Sequence, residues 1–413
     1  MKFTELSKEE FRAFLKTQPL NDFVQAPEME EIGKQHNWKS YYVGVKVDDN
    51  IVAASRIMAR KSHFGKQNFY APRGLILDYH NKELLAFFTK ELKKFIKQKH
   101  GYILTIDPAL IYQERDIDGN IVEGGINNKD VVDTLISLGY HHLGFPVKMD
   151  VSSQVRFTFV LDLKDETEES IFANMKPNTR NLIRKTMKDG IEIRELEYDE
   201  LERFKKITEA TGERRNFSDR TLAYYQKMYQ LFHPNDEVHF LLATLNLEKL
   251  TLQLEEQKKE EQEKLNLLIE QNSDSKKAKT QRRESEQLIQ NLENKIKTYK
   301  KMMEEDGNVI DLSAAMFMTY GNEVVYLFSG NVAKYMKFNA QYLIQWHMIQ
   351  YGLKHKFPRY NFYGISGIFD RKDPDYGVYE FKRGFNGHVE EYIGEFELPI
   401  SNYYYIQKKL RRK

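Results

Sequence analysis

The chain has 413 residues, 41% of them hydrophobic and 30% charged, which is long for one core and suits a soluble protein of two to three domains. It has no cysteine, which excludes disulfides, iron–sulfur clusters, thiolate zinc sites and a cysteine nucleophile, and fits a reducing cytoplasm. The net charge of +2 makes the whole chain no magnet for polyanions.

Residues 1–10 are polar and carry acids, without the basic start and apolar run of a signal peptide. No segment is apolar for long enough to span a bilayer, so membrane contact must be peripheral. Residues 41–47 read as a strand, Asp48-Asp49-Asn50 as a turn and 51–58 as the returning strand. Leu84, Leu85, Phe88, Leu92 and Phe95 give 82–99 helical spacing, and 102–106 is a buried strand ending at Asp107-Pro108. Residues 1–150 therefore form a first, mixed α/β domain.

Residues 151–245 restart the pattern with strands at 157–161 and 237–243, and 306–400 complete it with a strand at 323–328 and a helix at 340–355. The repeated order of strand, turn, strand, helix and strand indicates two similar units. Between the halves of the second unit, residues 246–305 are of different composition. Leu247, Leu250, Leu254, Leu265 and Leu268, then Leu288, Leu292, Ile296, Tyr299 and Met303, keep three- and four-residue spacings. A turn-like break at 271–275 separates them, so the insertion reads as an antiparallel coiled-coil arm, polar at Gln257 and Glu261.

Two segments concentrate cations. Lys176, Arg180, Arg184, Lys185 and Lys188 crowd one helix-like stretch, and Lys408, Lys409, Arg411, Arg412 and Lys413 crowd a basic tail at 401–413. Each is either a phosphate-binding patch or a solvated helix face. Residues 379–388 read as a strand and tight turn that set Lys382 and Arg383 among aromatics and glycines, where glycine permits close approach and lysine can meet an anion as a point charge.

Several of these segments, taken in order, resemble FemABX-type peptidoglycan aminoacyltransferases. The first half is carried by Phe23-Val24-Gln25, Trp38, Tyr70-Ala71-Pro72-Arg73-Gly74 and Ile106-Asp107-Pro108. The basic stretch Met175 to Lys185, then Tyr326 to Gly330, Gln345-Trp346, Tyr360 to Gly364 and the closing Phe381-Lys382-Arg383-Gly384-Phe385, carry the second. The resemblance implies an α/β fold of two GNAT-like (acetyltransferase-like) domains facing a shared cleft, with the inserted helical hairpin as an arm. It implies transfer of an amino acid (Gly, Ala or Ser) from aminoacyl-tRNA to an amine of the peptidoglycan stem peptide or growing interpeptide bridge.

The implied partners are aminoacyl-tRNA, a lipid-linked or UDP-linked muropeptide, the inner face of the cytoplasmic membrane as a peripheral contact, and a homo- or hetero-oligomer with related transferases. The implied location is cytoplasmic, peripheral at the membrane. Converting an activated ester to an amide needs no cofactor or metal. It does need an amine that has lost its proton, which for lysine (pKa about 10.4) costs roughly 4–5 kcal/mol at neutral pH, and donors for the tetrahedral oxyanion.

By resemblance Lys382 meets the aminoacyl-RNA end, through a phosphate or the developing negative charge. Its positive charge argues against its being the base. Phe381 stacks on adenine or ribose, or packs in the core. Arg220 and Tyr224, four apart, share a helix face and bind the acceptor, with Tyr326, Tyr112 and Lys34 as further acceptor contacts. Arg73 holds a ligand or a turn, and Asp107 is a base or a turn residue. The Asn386-Gly387 pair departs from the two glycines of many relatives, and asparagine tolerates the left-handed backbone such a turn needs. A second reading is a catalytically idle binding module recruiting cell-wall partners through its coiled coil. A third, an acyl-CoA acetyltransferase, lacks a clear pyrophosphate-binding loop.

Overall fold

The computed structural model describes residues 1–19, 21–149, 153–271 and 275–411. Asn272, Ser273 and Asp274 of the expected turn, and Arg412 and Lys413 of the tail, lie outside them. The strands are β1 (Lys2–Glu5), β2 (Lys39–Val47), β3 (Asn50–Lys61), β4 (Gln67–Ala71), β5 (Gly101–Ile106), β6 (Ile111–Glu114), β7 (His141–His142) and β8 (Phe157–Asp162). They continue as β9 (Ile191–Glu195), β10 (Val238–Asn246), β11 (Val309–Tyr320), β12 (Glu323–Asn331), β13 (Arg359–Ile365), β14 (His388–Tyr392) and β15 (Phe396–Pro399).

The β2–β3 hairpin forms where its sequence demands it. Asp48 and Asp49 both take positive φ, 48° and 64°, the left-handed pair that a two-residue hairpin uses. β3 pairs β4, and the helix Lys82–Gln98 then carries the chain over to β5, which lies parallel to β4. The second lobe repeats the plan. β10, β11 and β12 run antiparallel, and the helix Ala340–Lys354 leads to β13, parallel to β12. Each lobe is thus GNAT-like, a mixed sheet with one parallel pair bridged by a helix.

The sheets exchange strands, which no boundary at residue 150 provides for. The first sheet runs β1-β2-β3-β4-β5-β15-β7, so a strand near the end of the chain lies inside the N-terminal lobe. The second runs β6-β14-β8-β13-β12-β11-β10-β9, with β6 contributed by the first segment. Phe23, Val24 and Ile32 also pack into the second lobe's core against Phe204, Tyr225 and Phe240. The lobes share apolar surface as well as backbone.

The insertion is a hairpin of two helices, Leu247–Glu270 and Lys276–Asp306. Ion pairs Glu255–Lys300 (2.6 Å) and Lys258–Glu293 (2.8 Å), and the hydrogen bond from Ser285 to Glu261 (2.5 Å), fix its antiparallel register. Its root, Leu247, Leu250, Leu254, Leu292 and Ile296, is continuous with the second lobe's core. The seam differs in detail from its sequence reading. Ile289, not Leu288, is buried, and Lys258 takes the place expected of the exposed Gln257.

Candidate active site

The first-lobe motifs bind one another. The Gln25 amide accepts from the Arg56 N–H at 2.8 Å and donates to the Pro72 carbonyl. Arg73, at φ 51°, gives its N–H to Asp107 at 2.5 Å and its guanidinium to the Val155 carbonyl at 2.7 Å. Tyr70 donates to the other Asp107 oxygen at 2.6 Å. Of the two readings left open, Arg73 and Asp107 hold this turn. Burial nevertheless pushes the Asp107 carboxyl up to about 7, Arg73 opposing it. Asp107 lines a cavity of about 340 Å³ with Arg156, Tyr392 and Glu395.

Residues 376–383 are a helix, Tyr376–Arg383, and not the strand the sequence suggested. Its buried face is Tyr379 and Lys382, three residues apart. Gly384 follows, and a Cβ there would stand 2.3 Å from Thr179 Oγ1 on the basic helix Pro177–Lys188. Its carbonyl accepts from the Lys176 N–H at 3.0 Å, while Lys176 pairs with Glu380 at 2.9 Å. Glycine therefore lets the basic helix start against the lysine helix. Arg184, Lys185 and Lys188 face solvent beyond it. Asn386 sits at φ 65°, as its tolerance of left-handed backbone predicts.

Lys382 is 5% exposed and lines a cavity of about 930 Å³. Its ammonium donates to the carbonyls of Gly364 at 2.6 Å and Tyr363 at 3.2 Å, and stands 6.0 Å from the Tyr326 ring centre. An ammonium has three donors, so one remains for a ligand. Desolvation pulls its pKa down from 10.5 to about 7. The argument from a fixed positive charge against a role as base therefore lapses: near pH 7 both protonation states are populated.

Tyr326 lines the same cavity. Its hydroxyl donates to Ser329 and accepts from Gln341 at 2.7 Å, and burial pushes it up to about 12. Phe381 lines it too, half-buried, edge-on to Tyr342 at 4.9 Å, which combines packing with an open face.

The remaining residues fall elsewhere. Arg220 precedes Thr221, the cap of the helix Leu222–Phe232, so it does not share a helix face with Tyr224. The two still meet, the guanidinium 5.5 Å over the ring. They sit behind the rim, where Tyr224 packs edge-on to the lining residue Phe328. Tyr112, on β6, stacks on Phe145 at 4.5 Å, outside the cavity lining. Lys34 is exposed on the helix Met29–Gln35 and tied to Glu31 at 2.7 Å and Glu30 at 3.1 Å.

Among the lining residues that sequence reading did not connect to the site, three are polar groups with hydrogen-bond partners: Gln341, Asp219 and Tyr363. Gln341 is a buried amide bonded to Tyr326, and its signal was a glutamine, like Gln345, on the apolar side of its helix. Asp219 accepts from Thr208 at 2.8 Å and Lys205 at 3.0 Å. Tyr363 reaches Gln154 at 3.3 Å; Gln154 lines the smaller cavity, and its neighbour Val155 lines both.

Twin mixed lobes, an aromatic-walled cavity in the second and a buried lysine with no carboxylate partner make the frame of an acyl-transfer type of protein. The chain belongs to the FemAB family, whose model matches residues 6–413. It is 36% identical over 405 residues to Aminoacyltransferase FemA of Staphylococcus aureus strains bovine RF122 / ET3-1 and N315, covering 97% of this chain and 96% of each relative. The crystal structure of FemX superposes with a TM-score of 0.80 over 99% of both chains at 23% identity, a likeness of fold. Among the described residues no helix is long and apolar enough to cross a membrane.

Proposed function

We propose that this protein is an aminoacyltransferase that moves an amino acid from aminoacyl-tRNA to an amine of the peptidoglycan stem peptide or growing interpeptide bridge. The donated residue is Gly, Ala or Ser, and the acceptor a lipid-linked or UDP-linked muropeptide met at the inner face of the membrane. The observation that carries this reading is Lys382, a buried ammonium held by two carbonyls with a free donor toward an aromatic-walled cavity.

An incoming ester places its carbonyl oxygen, or the adjoining RNA phosphate, against that donor. The anion restores the proton that desolvation had loosened, so Lys382 is a cation when negative charge develops. The amine attacks the ester carbon, the C–N bond forms, the amine loses its proton, and the ribose oxygen leaves as hydroxyl. Tyr326, fixed by Gln341 and Ser329, orients the acceptor. The Arg220–Tyr224 pair, behind the rim and reached past Phe328, receives its phosphates. The exposed face of the basic helix follows the RNA backbone. Tyr112 and Lys34, away from this cavity, have the weakest claim to the acceptor.

The test is transfer of label from charged tRNA to a lysine-containing muropeptide. The parent transfers, and Lys382→Met lowers the rate by about 100-fold or more while remaining folded. A Lys382→Met protein of parental activity would remove Lys382 from the reaction. A parent without transfer, in a preparation that binds muropeptide, would favour the idle binding module.

A further inference from the structure

The first lobe presents a surface apart from the Lys382 cavity. At the tip between β3 and β4, Phe64 is 87% exposed, on left-handed backbone at φ 56°. Its ring lies 6.3 Å from that of Tyr403, so the tip abuts the C-terminal helix Tyr403–Arg411. That helix buries Tyr404 with Tyr102 and Ile103. Ile406 and Leu410, one turn apart, point the other way at 54% and 61% exposure.

Residues 59–69 and 398–413 contain no acid, while Lys61 and Lys66 flank Phe64 along the chain and Lys409 precedes Leu410. Exposed apolar side chains on adjoining elements, with lysines as their chain neighbours and no acid in either segment, fit a surface that is apolar inside and anionic at its face. We propose that this face docks the protein on an anionic bilayer, with Phe64, Ile406 and Leu410 in the headgroup boundary and the lysines at lipid phosphates.

A nucleic acid is the less favoured occupant. It would reward the lysines and the Phe64 ring, but Ile406 and Leu410 offer neither charge for a phosphate nor a π face for a base. A bilayer rewards all of them. The proposal deepens the membrane contact of the reading above and rests on that reading only for why a membrane is met.

The full chain is sedimented with vesicles of equal parts phosphatidylglycerol and phosphatidylcholine, with phosphatidylcholine vesicles and tRNA as further arms. Binding to the anionic vesicles is expected to exceed that to phosphatidylcholine by about tenfold or more. Combining Phe64→Ser, Ile406→Ser and Leu410→Ser should lower partitioning by about 30-fold or more. Phe64→Ser alone, at an exposed loop tip where folding is not at stake, should give an intermediate loss.

A full chain that stays in solution beside anionic vesicles, or a triple variant that partitions like the parent, overturns the proposal. So does a triple variant that loses tRNA but keeps vesicles, which would assign the face to RNA. Transfer to a water-soluble muropeptide is read in the same preparations and should be unchanged in the variants. Its absence in the parent would remove the transferase reading and leave the vesicle result standing.

Discussion

Lys382 carries an unusual electrostatic load, because desolvation acts on it with no carboxylate to oppose it. Its native pKa, about 7, lies below its ordinary 10.5. Between those values the unfolded chain holds the proton and the native one does not, so this group's contribution to stability rises with pH across the window and is lost as pH falls through about 7. Lys382→Met removes that slope. In urea titrations its stability relative to the parent should be more favourable at about pH 6 than at about pH 9, by roughly 1 kcal/mol or more. A pH-independent difference would mean that the ammonium is solvated. Asp107, raised to about 7, has the opposite slope and cancels because both proteins keep it.

The turn after the lysine helix is equally specific. A Cβ at Gly387 would stand 2.1 Å from the Val160 carbonyl oxygen, a backbone atom that cannot swing away. Gly387→Ala should cost about 2–3 kcal/mol by denaturant titration. Asn386→Gly, at φ 65°, should change stability by less than about 1 kcal/mol. The sequence put Lys382 at the centre through the family resemblance. It could not give the protonation balance, because the burial that desolvates the ammonium and the β13 carbonyls that hold it are brought to Lys382 only by the fold.

At the scale of elements, periodicity was readable where the buried face is apolar. The helix Lys82–Gln98 buries the same Leu84, Leu85, Phe88, Leu92 and Phe95 that announced it. The helix Tyr376–Arg383 was read as strand-like because its buried face is a tyrosine and a lysine, and a lysine inside breaks the apolar code that signals a helix. The arm lies between these cases. Its root is apolar, but Glu261 and Ser285 meet within the seam at 2.5 Å. A carboxylate there keeps water close and loosens the outer half. Replacing the pair together by Glu261→Leu and Ser285→Ala should slow amide exchange in the outer arm by about tenfold, equivalent to about 1.4 kcal/mol. Glu261→Leu alone should gain less, since it strands the Ser285 hydroxyl. Unchanged exchange in the double variant would show that the tip, not the seam, limits arm opening.

For the whole molecule, the exchange of β6 and β15 makes one folding unit of two lobes. Local patterns announced β2, β3, β5, β8, β10 and β12, but not β15 or its pairing with β5, a partner nearly the whole chain away. Pairing over such a separation leaves no periodic trace. β15 lies between β5 and β7, and Phe396 and Leu398 are fully buried in the first lobe's core. Truncation after Gly394 therefore should not merely trim a tail. It opens the β5 edge, removes both core side chains and frees β7. Loss of two such side chains alone costs about 4–10 kcal/mol, comparable with the whole stability of a domain. The truncated chain should lose the first lobe's near-ultraviolet aromatic signal, and the parent should melt in a single calorimetric transition. Two separated transitions in the parent, or a stable fragment of residues 1–150, would mean that each lobe folds alone and that the molecule is a docking of independent domains. One transition makes the geometry around Lys382 a property of the whole chain, since strand β14 beside it ends only a few residues before the strand that completes the other lobe.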